Sequence, residues 1–234
     1  MTLFLHGFTG APSSASGLFE ALGNPPGWEA PWLFGHGDTP DLTRSASFEE
    51  EARQLLAQTT SRVCIGYSLG SRLALAMGVL APERFDRLVL IGVHPGLETV
   101  AERESRASED ELRACALESS GLIAFVDAWQ ALPLFDEEIL PESARTARRS
   151  IRLAHTADGL AAALRVLGLG QMPFYKERLM TLPPTHLVVG ERDAKFQKLA
   201  TDMATRSHAE VHIAPNAGHD ALIWAPELVA RLAA

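Results

Sequence analysis

Residues 66–70 read Gly-Tyr-Ser-Leu-Gly. They follow the apolar run Val63-Cys64-Ile65 and precede a stretch, 69–80, rich in Ala, Leu and Met. A serine between two glycines at a strand-to-helix junction predicts a very sharp turn. Bulkier flanking residues would collide with the neighbouring strand and helix there. Such a turn presents the Ser68 hydroxyl. A serine hydroxyl is a weak nucleophile or base alone. It needs a histidine to take its proton and an acid to hold that histidine's tautomer. In a parallel sheet these groups collect in loops at the carboxyl ends of strands. "LVVGERDAKF" places Asp193 just past one strand end, and "IAPNAGHDAL" places His219 past the next, ahead of the last helix.

Each assignment has rivals. Asp193 also suits a plain helix N-cap, and Glu191 and Asp202 are alternative acids. His219 competes with seven other histidines. His212 alternates within a strand, His186 opens a strand, and His155 and His208 read as surface residues. His6 and the "GHG" at 35–37 read as loop chemistry. Only His219 combines loop position with chain order. A developing oxyanion needs backbone donors. The N–H of Leu69, at the start of the helix, is one candidate, and the N–H of Phe8 in "LHGFTG" is the other.

The elements that must position these groups alternate. Strands are expected at 2–5, 28–34, 63–65, 88–93, 186–189 and 211–214. Helices are expected at 15–22, from Ser47 (N-cap, with Glu50 three residues on) to about 60, then 69–80, 194–206 and 221–232. Continuous apolar strands between such helices indicate a parallel sheet covered on both faces. Residues 95–180 change texture: helical, rich in Arg, Glu and Ala, broken at Gly121, Pro133, Pro141 and 168–170, with no convincing strand. The expected organisation is a core of residues 1–94 and 181–234 with an inserted all-helical cap at 95–180.

With 234 residues and a net charge of −8, the chain can bury a sizeable core but offers no general basic face for nucleic acid. Two cysteines, Cys64 and Cys115, argue against a disulfide framework and for a reducing compartment. No CxxC or HExxH pattern supports a metal site. No signal peptide or apolar run of about 18 residues is present, so a cytoplasmic protein with no membrane partner is expected, as monomer or homodimer.

The segments "LHGFTG", "GHG", "GYSLGSR", "GERDAKF" and "NAGHD" together resemble the α/β-hydrolase superfamily, whose Ser…Asp…His chain order this sequence shares. Within it the sequence is most similar to the 2-succinyl-6-hydroxy-2,4-cyclohexadiene-1-carboxylate synthases of menaquinone biosynthesis. "GVHPGL" at 92–97, Arg103 and Arg106 in register, "FVDAWQALPLF" and "RRS" at 148–150 carry that likeness over nearly the whole chain. Two features depart from the family pattern. The chain begins at what the fold counts as its third strand, so the leading hairpin is not expected, and Ser71 stands where a second glycine is usual.

The resemblance implies a lyase that eliminates pyruvate from 2-succinyl-5-enolpyruvyl-6-hydroxy-3-cyclohexene-1-carboxylate, with Ser68, His219 and Asp193 acting as a base and no metal or organic cofactor. It also implies substrate contacts from Arg106, Arg149 and Trp129. A small anionic substrate needs cations near Ser68, and Arg72 lies one helical turn beyond it. Tyr67, beside the serine, is placed to line the pocket. A serine hydrolase acting through an acyl-enzyme is the second reading, and a binding module on the same scaffold the third.

Overall fold

The computed structural model describes residues 1–135 and 140–234. Positions 136–139 of the expected cap lie outside the described residues. Among these, strands β1 (Thr2–Leu5), β2 (Trp28–Glu29), β3 (Val63–Tyr67), β4 (Arg87–Ile91), β5 (Thr185–Gly190) and β6 (Glu210–Ala214) form one sheet. Its order is β2-β1-β3-β4-β5-β6, and every pairing is parallel. The inner strands β1, β3, β4 and β5 are mostly apolar on both faces because both faces are covered. Leu3, Leu5, Cys64, Leu88, Leu90 and Leu187 pack with α2 (Phe48–Gln58), α3 (Leu69–Leu80) and α7 (Ala194–Ala204). Phe4, Ile65, Val89, Ile91 and Val188 pack with α1 (Ser16–Ala21), α8 (Ala221–Trp224) and α9 (Pro226–Ala233). The α/β-hydrolase architecture expected from the sequence is therefore present.

Between β4 and β5 the described residues hold helices and no strand: α4 (Val100–Gln130), α5 (Glu142–Arg152) and α6 (Ala157–Leu167). Thr99 caps α4 through a reciprocal box with Glu102. Gly121, at φ 80° and ψ 167°, breaks α4 into two helical runs. Ala114, Leu117, Phe125, Leu160, Ala161 and Leu164 form a small apolar cluster in this segment, with Phe8 packed against it. No helix among the described residues is long and apolar enough to cross a membrane.

Three expectations change. The strand expected at 28–34 pairs only over Trp28–Glu29. Further along, the N–H of Leu33 donates to His6 Nε2 (3.3 Å) and that of Phe34 to Glu51 Oε1 (2.9 Å), so side chains take the place of a neighbouring strand. The last helix is two helices. Proline at 226 disfavours helical geometry at the residue before it, and Ala225 sits at φ −146°, ψ 52°. Finally, His155 is buried rather than on the surface. Its Nδ1 accepts from the N–H of Gly37 (2.9 Å), and its ring lies edge-on to His36 (5.4 Å) and Trp32 (5.7 Å).

His6, His36 and His155 form one buried group. Burial lowers the pKa of His6 from 6.5 to about 3, that of His36 well below 6.5, and that of His155 in the same direction. All three are neutral in the folded protein at pH 7. In the unfolded chain they bind protons below pH 6.5, so the unfolded state gains stability there. The melting temperature is therefore expected to be flat above about pH 6.5 and to fall as pH drops below it. Each histidine held neutral contributes up to about 1.4 kcal/mol per pH unit. Thermal denaturation at pH 5–8 on His36→Phe against the unsubstituted protein checks this: the variant should show the shallower slope.

Candidate active site

The turn from β3 into α3 is forced into a conformation that few residues adopt. Ser68 has φ 51° and ψ −106°. A Cβ on Gly66 would sit 2.5 Å from the Gly70 carbonyl oxygen, and one on Gly70 would sit 2.0 Å from that of Leu5. Both glycines are thus required by close backbone approach. Ser71, the departure from the family pattern, is fully buried, and its Oγ lies 2.5 Å from the Gly66 oxygen and 2.8 Å from that of Ile91. The hydroxyl ties the turn to β4.

Three side chains meet above this turn. His219 Nε2 lies 3.1 Å from Ser68 Oγ, and its Nδ1 lies 2.8 Å from Asp193 Oδ2. An ionised Asp193 only accepts, so Nδ1 carries the proton and Nε2 is free to take one from Ser68. His219 and Asp193 are both buried. The geometry accommodates both readings of Asp193: Oδ2 lies against His219 Nδ1, while Oδ1 accepts from the N–H of Phe196 (3.2 Å) and caps α7. The rival acids are engaged elsewhere. Glu191 accepts from the N–H of Asn216 (2.8 Å), and Asp202 pairs with Lys176 (2.8 Å) on the surface.

Gly92 is a residue that spacing alone did not single out. It has φ +60°, and a Cβ there would lie 2.6 Å from His219 Cε1. Gly92→Ala is expected to push the imidazole off Ser68 and lower kcat by roughly 10²-fold, a typical cost of a misplacement near 1 Å. Steady-state kinetics beside a melting curve would separate this from unfolding.

Ser68 and His219 open into a cavity of about 380 Å³ between the sheet edge and α4–α6. Tyr67 lines it, as expected, and so do Phe8 and Leu69, the residues whose backbone N–H groups are the candidate oxyanion donors. The loop bearing Phe8 is turned by the Gly10 N–H to Gly7 carbonyl bond (2.9 Å), with Thr9 at φ 60°. Phe8 also puts its ring edge-on to Trp129 (5.3 Å), joining loop to cap. Tyr67 is buried, and burial raises its phenol pKa well above 10.

Of the expected arginines, Arg72 and Arg106 line the cavity and Arg149 does not. Arg149 pairs with Asp127 on the outside. The cause is helical phase: Ala144, Ala147, Arg148, Ile151 and Arg152 form the cavity-facing stripe of α5, and position 149 lies about 100° around from 148. Arg148 and Arg152, Arg149's neighbours in sequence, take the place expected of it. Arg148 Nη1 reaches Asp220 Oδ2 (2.7 Å), and Arg152 is buried. His94 and Lys195, also on the lining, were missed as well; the "GVHPGL" and "GERDAKF" segments were the available signals. Burial lowers the His94 pKa to about 4, so it is neutral at pH 7.

Among the described residues the lining carries Arg72, Arg106, Arg148, Arg152 and Lys195 against Asp110 and Asp220. Burial, helped by the charge on Arg106, pulls the Arg72 guanidinium down to about 9. Arg72 is therefore a cation held under desolvation at neutral pH. Its Nη1 donates to the Leu167 carbonyl (2.9 Å). Arg106 Nε lies 3.0 Å from the buried Asp110. An anion entering this cavity would meet these cationic side chains.

A serine–histidine–aspartate line above a strand-to-helix turn, at the carboxyl edge of a parallel sheet, defines the α/β-hydrolase class. The Alpha/beta hydrolase family model matches residues 2–232, and the chain belongs to that family. It is 33% identical to the 2-succinyl-6-hydroxy-2,4-cyclohexadiene-1-carboxylate synthase of Enterobacter sp. (strain 638), over 97% of this chain and 88% of the relative. It is 32% identical to the protein of that name from Citrobacter koseri, over 94% of this chain and 86% of the relative. The structure of MenH from S. aureus superposes with a TM-score of 0.91 at 28% identity, covering 98% of this chain and 90% of that one. Within the family, the chain belongs with these synthases, and it is an enzyme.

Proposed function

We propose that the enzyme is a carbon–oxygen lyase of menaquinone biosynthesis that eliminates pyruvate from 2-succinyl-5-enolpyruvyl-6-hydroxy-3-cyclohexene-1-carboxylate. One observation carries this reading beyond the resemblance. In a chain of net charge −8, the cavity over Ser68 is lined, among the described residues, by five cationic side chains and two carboxylates. A substrate with a ring carboxylate, a succinyl carboxylate and an enolpyruvyl carboxylate matches that excess.

Ser68 takes the ring proton next to the succinyl carbonyl as its own proton passes to His219 Nε2, and Asp193 stabilises the imidazolium. The electron pair of the broken C–H bond shifts through the ring double bond and expels the enolpyruvyl oxygen at the far end. A conjugated diene remains. The departing enol recovers the proton on its carbon and leaves as pyruvate. Charge that builds on the succinyl carbonyl oxygen meets the backbone N–H groups of Phe8 and Leu69.

The same triad and donors would also serve ester hydrolysis, so a serine hydrolase is the competing reading. Purified enzyme is incubated with the cyclohexene substrate in a coupled pyruvate assay, and in parallel with a panel of short acyl esters. Rapid pyruvate release with slow ester turnover is the expected result. Fast ester turnover without pyruvate release, from folded protein, would overturn the lyase reading in favour of the hydrolase.

A further inference from the structure

We propose that His186, Glu210 and His212 form a binding site for a divalent transition-metal ion of the zinc type, at the end of the sheet opposite the active site. The placement follows from register. β5 and β6 pair in parallel with His186 opposite Glu210 and Val188 opposite His212. Residues two apart on a strand share a face, so Glu210 and His212 project on the side that His186 occupies. That side is the one covered by α9; His186 and Glu210 lie at the amino ends of β5 and β6 and His212 in the middle of β6, whereas Ser68, Asp193 and His219 lie past carboxyl ends.

The distances suit one ion. His186 Nδ1 is 3.1 Å from His212 Nε2, and Glu210 Oε2 is 3.8 Å from each of those nitrogens. One ligand atom from each residue falls within 4.8 Å of the others, and among the described residues no second such group of three occurs. A tetrahedral ion with metal–nitrogen bonds of about 2.0–2.1 Å holds its ligand atoms about 3.3 Å apart. Small side-chain rotations reach that arrangement. Two imidazoles and one carboxylate make a donor set suited to zinc, copper or nickel, with a fourth position left for water.

The surroundings are compatible with a cation. The two histidines are half-buried and Glu210 is exposed, so the ion has a path in. The facing cation is Arg87, whose Nη1 is turned to the Leu232 carbonyl (3.2 Å). The ion would clip β6, the edge strand of the described sheet, to β5, and would replace a lone imidazole–imidazole contact by three metal bonds. A ligand that binds the folded chain and not the unfolded one raises the melting temperature.

The test uses tag-free, chelator-treated full-length enzyme titrated with zinc chloride by calorimetry and thermal denaturation. One equivalent should bind, and the melting temperature should rise by roughly 5–10 °C at zinc about 100-fold above Kd. His186→Gln and His212→Gln should each weaken binding at least tenfold and leave pyruvate release in metal-free buffer unchanged. Cobalt(II) in place of zinc should show the intense visible absorption of a tetrahedral centre, lost in His212→Gln. Should a histidine variant fail to fold, the exposed Glu210→Gln replaces it. No binding to the unsubstituted enzyme at millimolar zinc, or one-to-one binding that survives both histidine variants, overturns the proposal. Survival of binding would assign the metal to another site, and absence of binding would leave the 3.1 Å contact as a plain hydrogen bond.

Discussion

Asp193→Asn is expected to lower pyruvate release by roughly 10³–10⁴-fold while leaving the melting temperature within a few degrees of the unsubstituted enzyme. The reason lies in the two oxygens of one carboxylate. Oδ1 caps α7 through Phe196, and Oδ2 accepts the Nδ1 proton of His219. An asparagine can keep the cap with its carbonyl oxygen, so the helix survives. Its amide nitrogen then faces Nδ1 as a donor, and the imidazole answers by carrying its proton on Nε2. In that tautomer His219 cannot accept from Ser68, 3.1 Å away. Ser68→Ala should cost a comparable factor by removing the group that, in the proposed mechanism, meets the ring proton. Because the two residues act as one unit, the double variant should fall little further than either single one. Full additivity in single-turnover rates would break the link between Ser68 and Asp193.

The same doubling of roles explains what the sequence could and could not reveal. Ser68 was legible because Gly66 and Gly70 serve only one geometry, a turn in which any Cβ meets backbone. Helix α3 was legible end to end because a sharp turn starts it and a run of small and straight-chain residues continues it. Asp193 stayed ambiguous because capping a helix and holding a histidine ask for the same residue at the same loop position. Apolar patterning overextends the short β2 because it is blind to where N–H groups go. Here they go to His6 and Glu51, which lie 27 and 17 residues away. The burial of His155 is hidden from the sequence for a similar reason: its partner, the N–H of Gly37, is 118 residues distant. In the cap, composition revealed helices and arginines but not rotation. An amphipathic stripe can be phased only when the surface it faces is known, and that surface is a cavity made by other elements.

That rotation is where the second large effect lies. Arg152→Ala is expected to reduce kcat/KM for the anionic cyclohexene substrate by roughly 10²–10³-fold, whereas Arg149→Ala should change it less than about threefold. Arg152 is buried on the cavity stripe of α5. Arg149 pairs outward with the half-exposed Asp127, and exposed pairs of this kind contribute about 0–1 kcal/mol. A cation that meets a carboxylate away from water is worth several times more, typically about 2–5 kcal/mol on truncation. Arg72→Ala and Arg106→Ala should act like Arg152→Ala, with one difference. Removing Arg106 also strips a partner from the buried Asp110, so that variant should lose stability as well as activity. Arg113 lies 2.8 Å from the same carboxylate and limits the loss. The discriminating control is a neutral substrate. In the proposed mechanism, any residual turnover of a short uncharged ester would depend on the triad and the oxyanion donors and not on the arginines, so Arg152→Ala should leave it nearly unchanged. Equal losses on the charged and the neutral substrate would mean that Arg152 supports the cavity wall and does not recognise the carboxylates. High salt adds a graded version of the test. It should raise KM for the anionic substrate in the unsubstituted enzyme and do so less in Arg152→Ala, because one of the charges being screened is already gone.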